Sequence, residues 1–268
     1  MRTIYPAAAA ALLIGVSAQA APTNVPAQQS TITYSTTGGV TSYYGNYARA
    51  TSKVVYDPAT DTYTIRDTGS PTTTSTFGPS DINSGASNST FTVYSKNSGN
   101  ETFRLLNQGA GNPVIQLTYV DYGEWKRTTT SGGTTSVNDT YLVFGSKTPG
   151  ASVPRTGSAS YSTIYDGTFV DKNGGHALSG TGSMTANWGS ASLNYNATIN
   201  GVPAGSLAFA GSGSINFASD SFTTVNSTSG YTLTQYGNFY GPAAQEVGGL
   251  FHLSGGRAGN GEGAFVGN

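Results

Sequence analysis

The chain has 268 residues, room for one or two domains and a sizeable core. Twelve Lys and Arg offset thirteen Asp and Glu to a net charge of −1, so nothing in the charge draws it to nucleic acid or an anionic membrane. There is no cysteine, which excludes disulfides, thiol catalysis and thiolate metal sites, and with only two histidines a His/Cys metal cluster is excluded as well.

Residues 1–20 read as a secretory signal peptide. Arg2 supplies the positive start, Ala7 to Val16 the apolar stretch, and Ala18-Gln19-Ala20 the small-x-small cleavage site. The apolar stretch is too short for a bilayer span, which needs about 20 residues. Export is therefore expected. Without a cysteine to carry an acyl chain, the mature product is expected not to be lipid-anchored. Residues 21–30 (Ala-Pro-Thr-Asn-Val-Pro…) read as a flexible leader.

From there the chain shows period-two alternation and no amphipathic helix. Tyr, Thr, Ser and Gly dominate, favouring short strands and tight turns. In the first half, Ser52 to Tyr56 and Thr62 to Arg66 flank Asp57-Pro58-Ala59-Thr60-Asp61, a good hairpin connection. Further strands are expected at Ser89–Ser95, Thr102–Leu106, Val114–Trp125 and Tyr141–Phe144. Loops are expected at Thr68–Ser89 and Thr128–Val137. The run from Lys147 to Pro154 reads as a linker, because its two prolines remove ladder donors. A strand-rich first domain (31–148) and a second domain (152–268) follow.

The second half alternates cleanly. Leu193, Tyr195, Ala197 and Ile199 share one face, and three Asn and a Thr share the other, the pattern of a half-buried antiparallel strand. Leu178, Gly180, Gly182, Met184, Ala186 and Trp188 repeat it, as do Val247, Gly249, Phe251 and Leu253. About eight such strands fit between 156 and 268, a count that suits a small closed antiparallel barrel. The fold class read from the sequence is all-β: a strand-rich N-terminal domain followed by an eight-stranded antiparallel β-barrel.

Enzyme signatures are missing. HExxH and G-x-S-x-G are absent, and the glycine-rich 255–263 run lacks the Lys-Ser/Thr ending of a phosphate loop. No enzymatic activity and no firm cofactor are expected.

The run Gly237-Asn238-Phe239-Tyr240-Gly241-Pro242-Ala243-Ala244-Gln245-Glu246-Val247-Gly248-Gly249-Leu250-Phe251 resembles the G-x-F-Y-G-P-x-A-x-E-x-G-G-x-F hairpin of transferrin-binding-protein-B-like barrels. Leu117 to Trp125, and Phe144-Gly145 with Lys147-Thr148-Pro149, resemble the same family's approach to the barrel, which makes the first domain its "handle". Read physically, the motif is structural. Gly241-Pro242 makes a turn, Gly248 and Gly249 permit a bend or close approach, and Phe239 and Phe251 have the parity of inward, core-filling residues, with Gly237 opening the motif. Tyr240 completes the pattern, and Glu246 is expected to bind turn amides in preference to standing in solvent.

The resemblance implies an outer-surface or secreted bacterial binding protein, dependent on an outer-membrane translocator or receptor. Its ligand would be heme, an iron source or a host protein. One lobe without a lipoprotein cysteine is more similar to the secreted hemophilin-type heme binders than to anchored transferrin receptors. The alternatives are a complement-regulator-like host-protein binder or adhesin, or a passive surface protein. A monomer is expected.

Heme requires an axial donor such as His or Tyr and an apolar slot. His176 follows the Asn173-Gly174-Gly175 turn, where it either reaches a ligand at the barrel rim or is an ordinary exposed loop histidine. His252, between inward Phe251 and Leu253, is expected to be a solvated outward residue. Tyr43, Tyr44 and Tyr47 cluster beside Gly45-Asn46, either as contact area for a partner or as cover for the handle's own core. Tyr122 and Trp125 are expected to pack at the junction of the two domains, where a ligand could also sit.

Overall fold

A computed structural model describes residues 25–67 and 73–268, without the side chains of 25, 26 and 44–51. The expected signal peptide (1–20) lies outside the described residues. Residues 25–30, expected in a flexible leader, instead open the first strand.

The first domain is one antiparallel sheet. Its strands are β1 (Val25–Thr37), β2 (Val40–Asp57), β3 (Thr62–Asp67), β4 (Thr73–Phe77), β5 (Phe91–Lys96), β6 (Glu101–Leu106), β7 (Val120–Ser131) and β8 (Thr134–Gly145). The spatial order is β4-β3-β2-β1-β8-β7-β6-β5. β1 and β8 thus lie side by side at the centre, and the chain reaches both edges from there. The sheet curls until its edges meet. Phe77 on β4 contacts Tyr94 on β5 with ring centroids 6.1 Å apart, and Lys96 pairs with Asp81 at 3.5 Å. Inside the curl lie Val54, Ile65, Phe103, Trp125, Leu142 and Phe144.

Three expectations change here. The presumed loop 68–89 contains β4, and the presumed loop 128–137 is the hairpin of β7 and β8. Both segments are Thr/Ser runs that are polar on both faces, so they carry strand propensity without alternation. Conversely, the strand expected from Val114 begins only at Val120. Asn112 holds the preceding loop. Its carboxamide accepts from the N–H groups of Val114 and Ile115 and donates to the carbonyl of Asn107. The Asp57 turn is as expected, with the N–H of Ala59 donating to Asp57 Oδ1 at 2.9 Å.

The second domain is a closed antiparallel barrel of eight strands: β9 (Ser158–Asp171), β10 (Gly174–Asn187), β11 (Ser192–Val202), β12 (Gly205–Asn216), β13 (Ser221–Thr228), β14 (Tyr231–Tyr240), β15 (Glu246–Ser254) and β16 (Asn260–Gly267). They meander in order, and β16 closes on β9 with Phe265 opposite Tyr165. The alternation read from the sequence is the inward set. Leu178, Met184, Trp188, Leu193, Tyr195, Ile199, Phe239 and Phe251 are all buried. Tyr165 stacks on Phe265 with centroids 5.6 Å apart, and Trp188 meets Phe239 edge-on at 5.0 Å. Aromatic rings fill the barrel. Inward glycine makes this possible: a Cβ on Gly237 would stand 2.3 Å from the Phe222 ring.

Candidate functional site

The barrel motif alternates, and its two faces do different work. Phe239, Val247 and Phe251 point into the barrel. Tyr240 and Leu250 point out, where they pack with Ala264 and Val266 against Val120, Tyr122, Tyr141 and Val143 of the handle. Glu246 shares that outer side. Its carboxylate accepts from the backbone N–H groups of Thr118 at 2.7 Å and of Tyr119 and Val120 at 2.8 Å. The amides it binds therefore belong to the handle, not to its own turn. Burial pushes the Glu246 carboxyl up, and the three donors oppose that. A Cβ on Gly248 would lie 2.7 Å from Val120 Cγ2, so this glycine clears space for the docked sheet. Gly241, with φ +84°, makes its turn against the ring of Tyr119. The outward half of the motif is a docking surface for the handle.

A second set of bonds crosses the seam higher up. Arg104 on β6 donates through Nε to Glu124 at 2.7 Å and through Nη2 to Asp166 of the barrel at 2.7 Å. The Tyr122 hydroxyl donates to the other Asp166 oxygen at 2.7 Å. Burial works against the Arg104 charge, but Glu124 and Asp166 outweigh it and raise its pKa. Thr168 of the barrel donates to Asp139 Oδ2 at 2.8 Å, and the Tyr141 and Thr168 hydroxyls lie 2.9 Å apart. Asp139 is fully buried, and its Oδ1 has no hydrogen-bond partner among the described residues. Burial first, then the neighbouring Glu124 carboxyl, drives its pKa upward. Two such carboxyls can bond each other only when one holds a proton.

At the far side of the seam, Ser30 on β1 donates to the buried Glu262 at 2.5 Å, and His252 Nδ1 lies 2.7 Å from the other Glu262 oxygen. Glu262 on β16 thus links Ser30 of β1 in the handle to His252 of β15 in the barrel. His252, expected to be solvated, points outward but is half-buried, because β1 lies across the outer face of β15 and β16.

Between these anchor points a cleft of about 360 Å³ opens, lined by Tyr34, Arg104, Glu124, Lys126 and Tyr141 from the handle and by Asp166, Thr168 and His176 from the barrel, among others. Three glycine-tipped hairpins converge beside it. The β1–β2 tip (Gly38-Gly39) and the β7–β8 tip (Gly132-Gly133) are tied by Thr37 and Thr134, whose hydroxyls lie 2.7 Å apart. The β1–β2 hairpin also reaches the β9–β10 turn, where the N–H of Thr41 donates to the carbonyl of Lys172. A Cβ on Gly175 would meet the Tyr34 hydroxyl at 2.5 Å. Exposed loops held on a rigid scaffold are where binding residues concentrate.

Among the candidates read from the sequence, His176 and Tyr43 come to this end. His176 is 40% exposed, lines the cleft and holds Asp171 at 3.1 Å through Nε2. It stands at the start of β10, one residue beyond the turn glycines, and not in a loop. Tyr43 is half-buried and sits opposite Tyr34 across the β1–β2 pair, on the same face. The side chains of Tyr44 and Tyr47 lie outside the described residues. Tyr122 is at the domain junction as expected, but it is buried. Trp125 is not at the junction. Three residues on, it has the opposite parity and lies in the handle core, its Nε1 donating to Glu101 at 3.0 Å and its ring under Arg127 at 4.1 Å.

Sequence reasoning missed Tyr34, Arg104, Glu124, Lys126, Asp139 and Asp166. A signal was present for five of them. In a chain with 25 charged residues, these stand inside strands, where charge is placed for a partner. No group of metal-ligating side chains occurs among the described residues, and no helix there is long and apolar enough to cross a membrane.

No protein-family model and no curated protein matches the sequence. Solved structures do. A tryptophan-to-alanine mutant of the vaccine antigen transferrin-binding protein B from Haemophilus parasuis matches with a TM-score of 0.52 at 16% identity, over 90% of this chain and 44% of that one. The isotype 1 transferrin-binding protein B of serogroup B Neisseria meningitidis matches with a TM-score of 0.50 at 14% identity, over 89% and 43%. This chain spans less than half the length of either, and the likeness rests on backbone shape, with few identical residues. Its curled handle sheet welded to a closed eight-stranded barrel has the fold of transferrin-binding protein B.

Proposed function

We propose that this chain is an exported, non-enzymatic binding protein of the bacterial outer surface that captures an iron source through its three-hairpin end and presents it to an outer-membrane receptor. One observation carries the reading. Aromatic side chains pack the barrel core, while three hairpins tied to one another converge beside an open cleft at the domain seam. Such a molecule recognises a partner by shape and performs no chemistry on it. The partner class comes from the fold, since the proteins of like fold are named for binding transferrin.

A host iron-carrying protein is favoured over free heme at this end, because the cleft beside His176 is lined by charged groups where a porphyrin needs apolar walls. The test is capture from serum on immobilised mature protein, with iron-loaded transferrin as a defined arm and hemin titration in parallel. Retention of an iron-carrying protein, lost on Val40→Asp at the exposed β1–β2 tip, is expected. A hemin Soret shift without protein capture would replace this partner with heme. Neither signal would sink the proposal.

A further inference from the structure

The handle–barrel cleft brings together more acidic groups than basic ones. Three carboxylates face it or lie beneath it: Glu124, Asp139 and Asp166. Two cations answer them, and both are compromised. Arg104 is used up by Glu124 and Asp166. Lys126 is 38% exposed, and its Nζ stands 3.8 Å from Asp139 Oδ2, beyond hydrogen-bond reach. Asp139 is left wholly buried with one oxygen unpartnered among the described residues. Its only bonded donor there is the Thr168 hydroxyl. A buried carboxylate in that state costs several kcal/mol unless a cation or a proton reaches it.

The cleft has the other features such a cation would use. It lies at a domain interface, a favoured place for ligand sites, and its volume suits a single long side chain. The rings of Tyr34 and Tyr141 form part of the wall, and aromatic faces attract ammonium and guanidinium groups. The hydroxyl of Tyr34 makes no hydrogen bond among the described residues and stands at the mouth beside Gly175.

We propose that this cleft is a receptor for one cationic group, an ammonium or guanidinium, which enters past Tyr34 and His176 and pairs with Asp139 and Glu124. The group is either a lysine or arginine projecting from a bound protein or the head of a free amine. Without it, the Asp139–Glu124 pair holds a proton in its place, in keeping with the upward shift of Asp139. Binding therefore releases that proton, and Lys126 swings toward solvent. The inference deepens the proposed function by naming what a partner inserts at the hairpin end. It stands or falls separately, because its probes are small molecules.

Calorimetry on the full mature protein tests it with N-acetyl-lysine methylamide and N-acetyl-arginine methylamide as probes and N-acetyl-norleucine methylamide as the uncharged control. In two buffers of different ionisation enthalpy, both cations should bind with proton release and the control should not. Affinity should rise about a hundredfold between about pH 6 and about pH 9, as Asp139, pushed up to about 8, gives up its proton. Asp139→Asn should abolish binding. Lys126→Gln, which removes the competing ammonium from the surface side, should strengthen it and guards against a variant that merely misfolds. Equal binding of the uncharged control, no binding of either cation, or affinities indifferent to both substitutions would overturn the proposal. Competition between probe and captured protein marks the cation as the partner's side chain, and probe binding without competition marks it as a free amine. If the probes bind and serum capture fails, the cleft inference survives and the proposed function does not.

Discussion

Glu246 shows how much one side chain can carry. Three backbone N–H groups of segment 118–120 point at its carboxylate, and that segment feeds directly into β7. A carboxylate accepting several backbone donors makes charge-assisted bonds, each worth about 1.5–3 kcal/mol net. Truncation to alanine leaves three donors without this acceptor, with the Val120 N–H buried and those of Thr118 and Tyr119 nearer solvent. Glu246→Ala should therefore destabilise the protein by about 3–5 kcal/mol, and Glu246→Gln by less, since the amide oxygen still accepts. Thermal unfolding checks the magnitude. Hydrogen exchange checks the place: the amides of 118–120 should lose protection in Glu246→Ala while inward barrel amides such as that of Tyr195 keep theirs. The sequence placed this glutamate in a motif and assigned it turn amides, whereas the amides it binds are those of the handle segment 118–120. That depends on a contact between residues some 127 positions apart, which no local pattern encodes.

At the scale of elements, legibility follows alternation. The barrel strands could be read because each has one buried face and one wet one, so the period of two survives in the letters. β1, β4 and the outer ends of β7 and β8 were lost because Thr, Ser and Gln dominate both faces there, and buried Ala27, Ile32 and Phe77 are too few to set a period. Thr31, Ser35 and Thr37 of β1 bond Thr140, Ser136 and Thr134 of β8 through their hydroxyls, a ladder that needs no apolar residue. What fixes the register of such a ribbon is its turn. Gly132 and Gly133 have φ of +57° and +76°, and no atom would touch a Cβ on either. The demand is conformational alone, so asparagine, which tolerates this region, should be accepted at Gly132 with little loss. Gly132→Val should cost about 1–2 kcal/mol and loosen the Thr37–Thr134 tie, lowering ligand capture more than Gly132→Asn does. Equal behaviour of the two variants in melting and capture would show that the tip is not what holds the ribbon in register. The charged residues of the seam were missed for the opposite reason: they obey the alternation, and only their partners across the domain boundary reveal what they do.

Across the whole molecule, the seam makes a prediction about pH. Asp121, Asp139, Glu246 and Glu262 all lie buried in or beside it, and burial is the first cause of the upward shift in each. In the unfolded chain these carboxyls titrate near pH 4, whereas Asp139 rises to about 8. The folded protein therefore binds more protons than the unfolded chain between those limits. Linkage then requires stability to grow as pH falls from about 8 toward about 4, and to be lost as pH rises through the folded value. Many proteins whose carboxylates sit in surface ion pairs behave the other way, because there the folded state depresses the carboxyl pKa. Arg104 does not reverse the trend, since it stays charged throughout this range. The midpoint of thermal unfolding should thus be higher at about pH 5.5 than at about pH 8.5, with Asp139→Asn flattening most of the slope. A midpoint that climbs with pH instead would mean that the seam carboxyls are ionised and fully paired in the folded state. The same slope has a functional side. A cation seated in the cleft would take over the role of the Asp139 proton, so bound protein should lose its stability advantage at acid pH and melt at nearly the same temperature at both values.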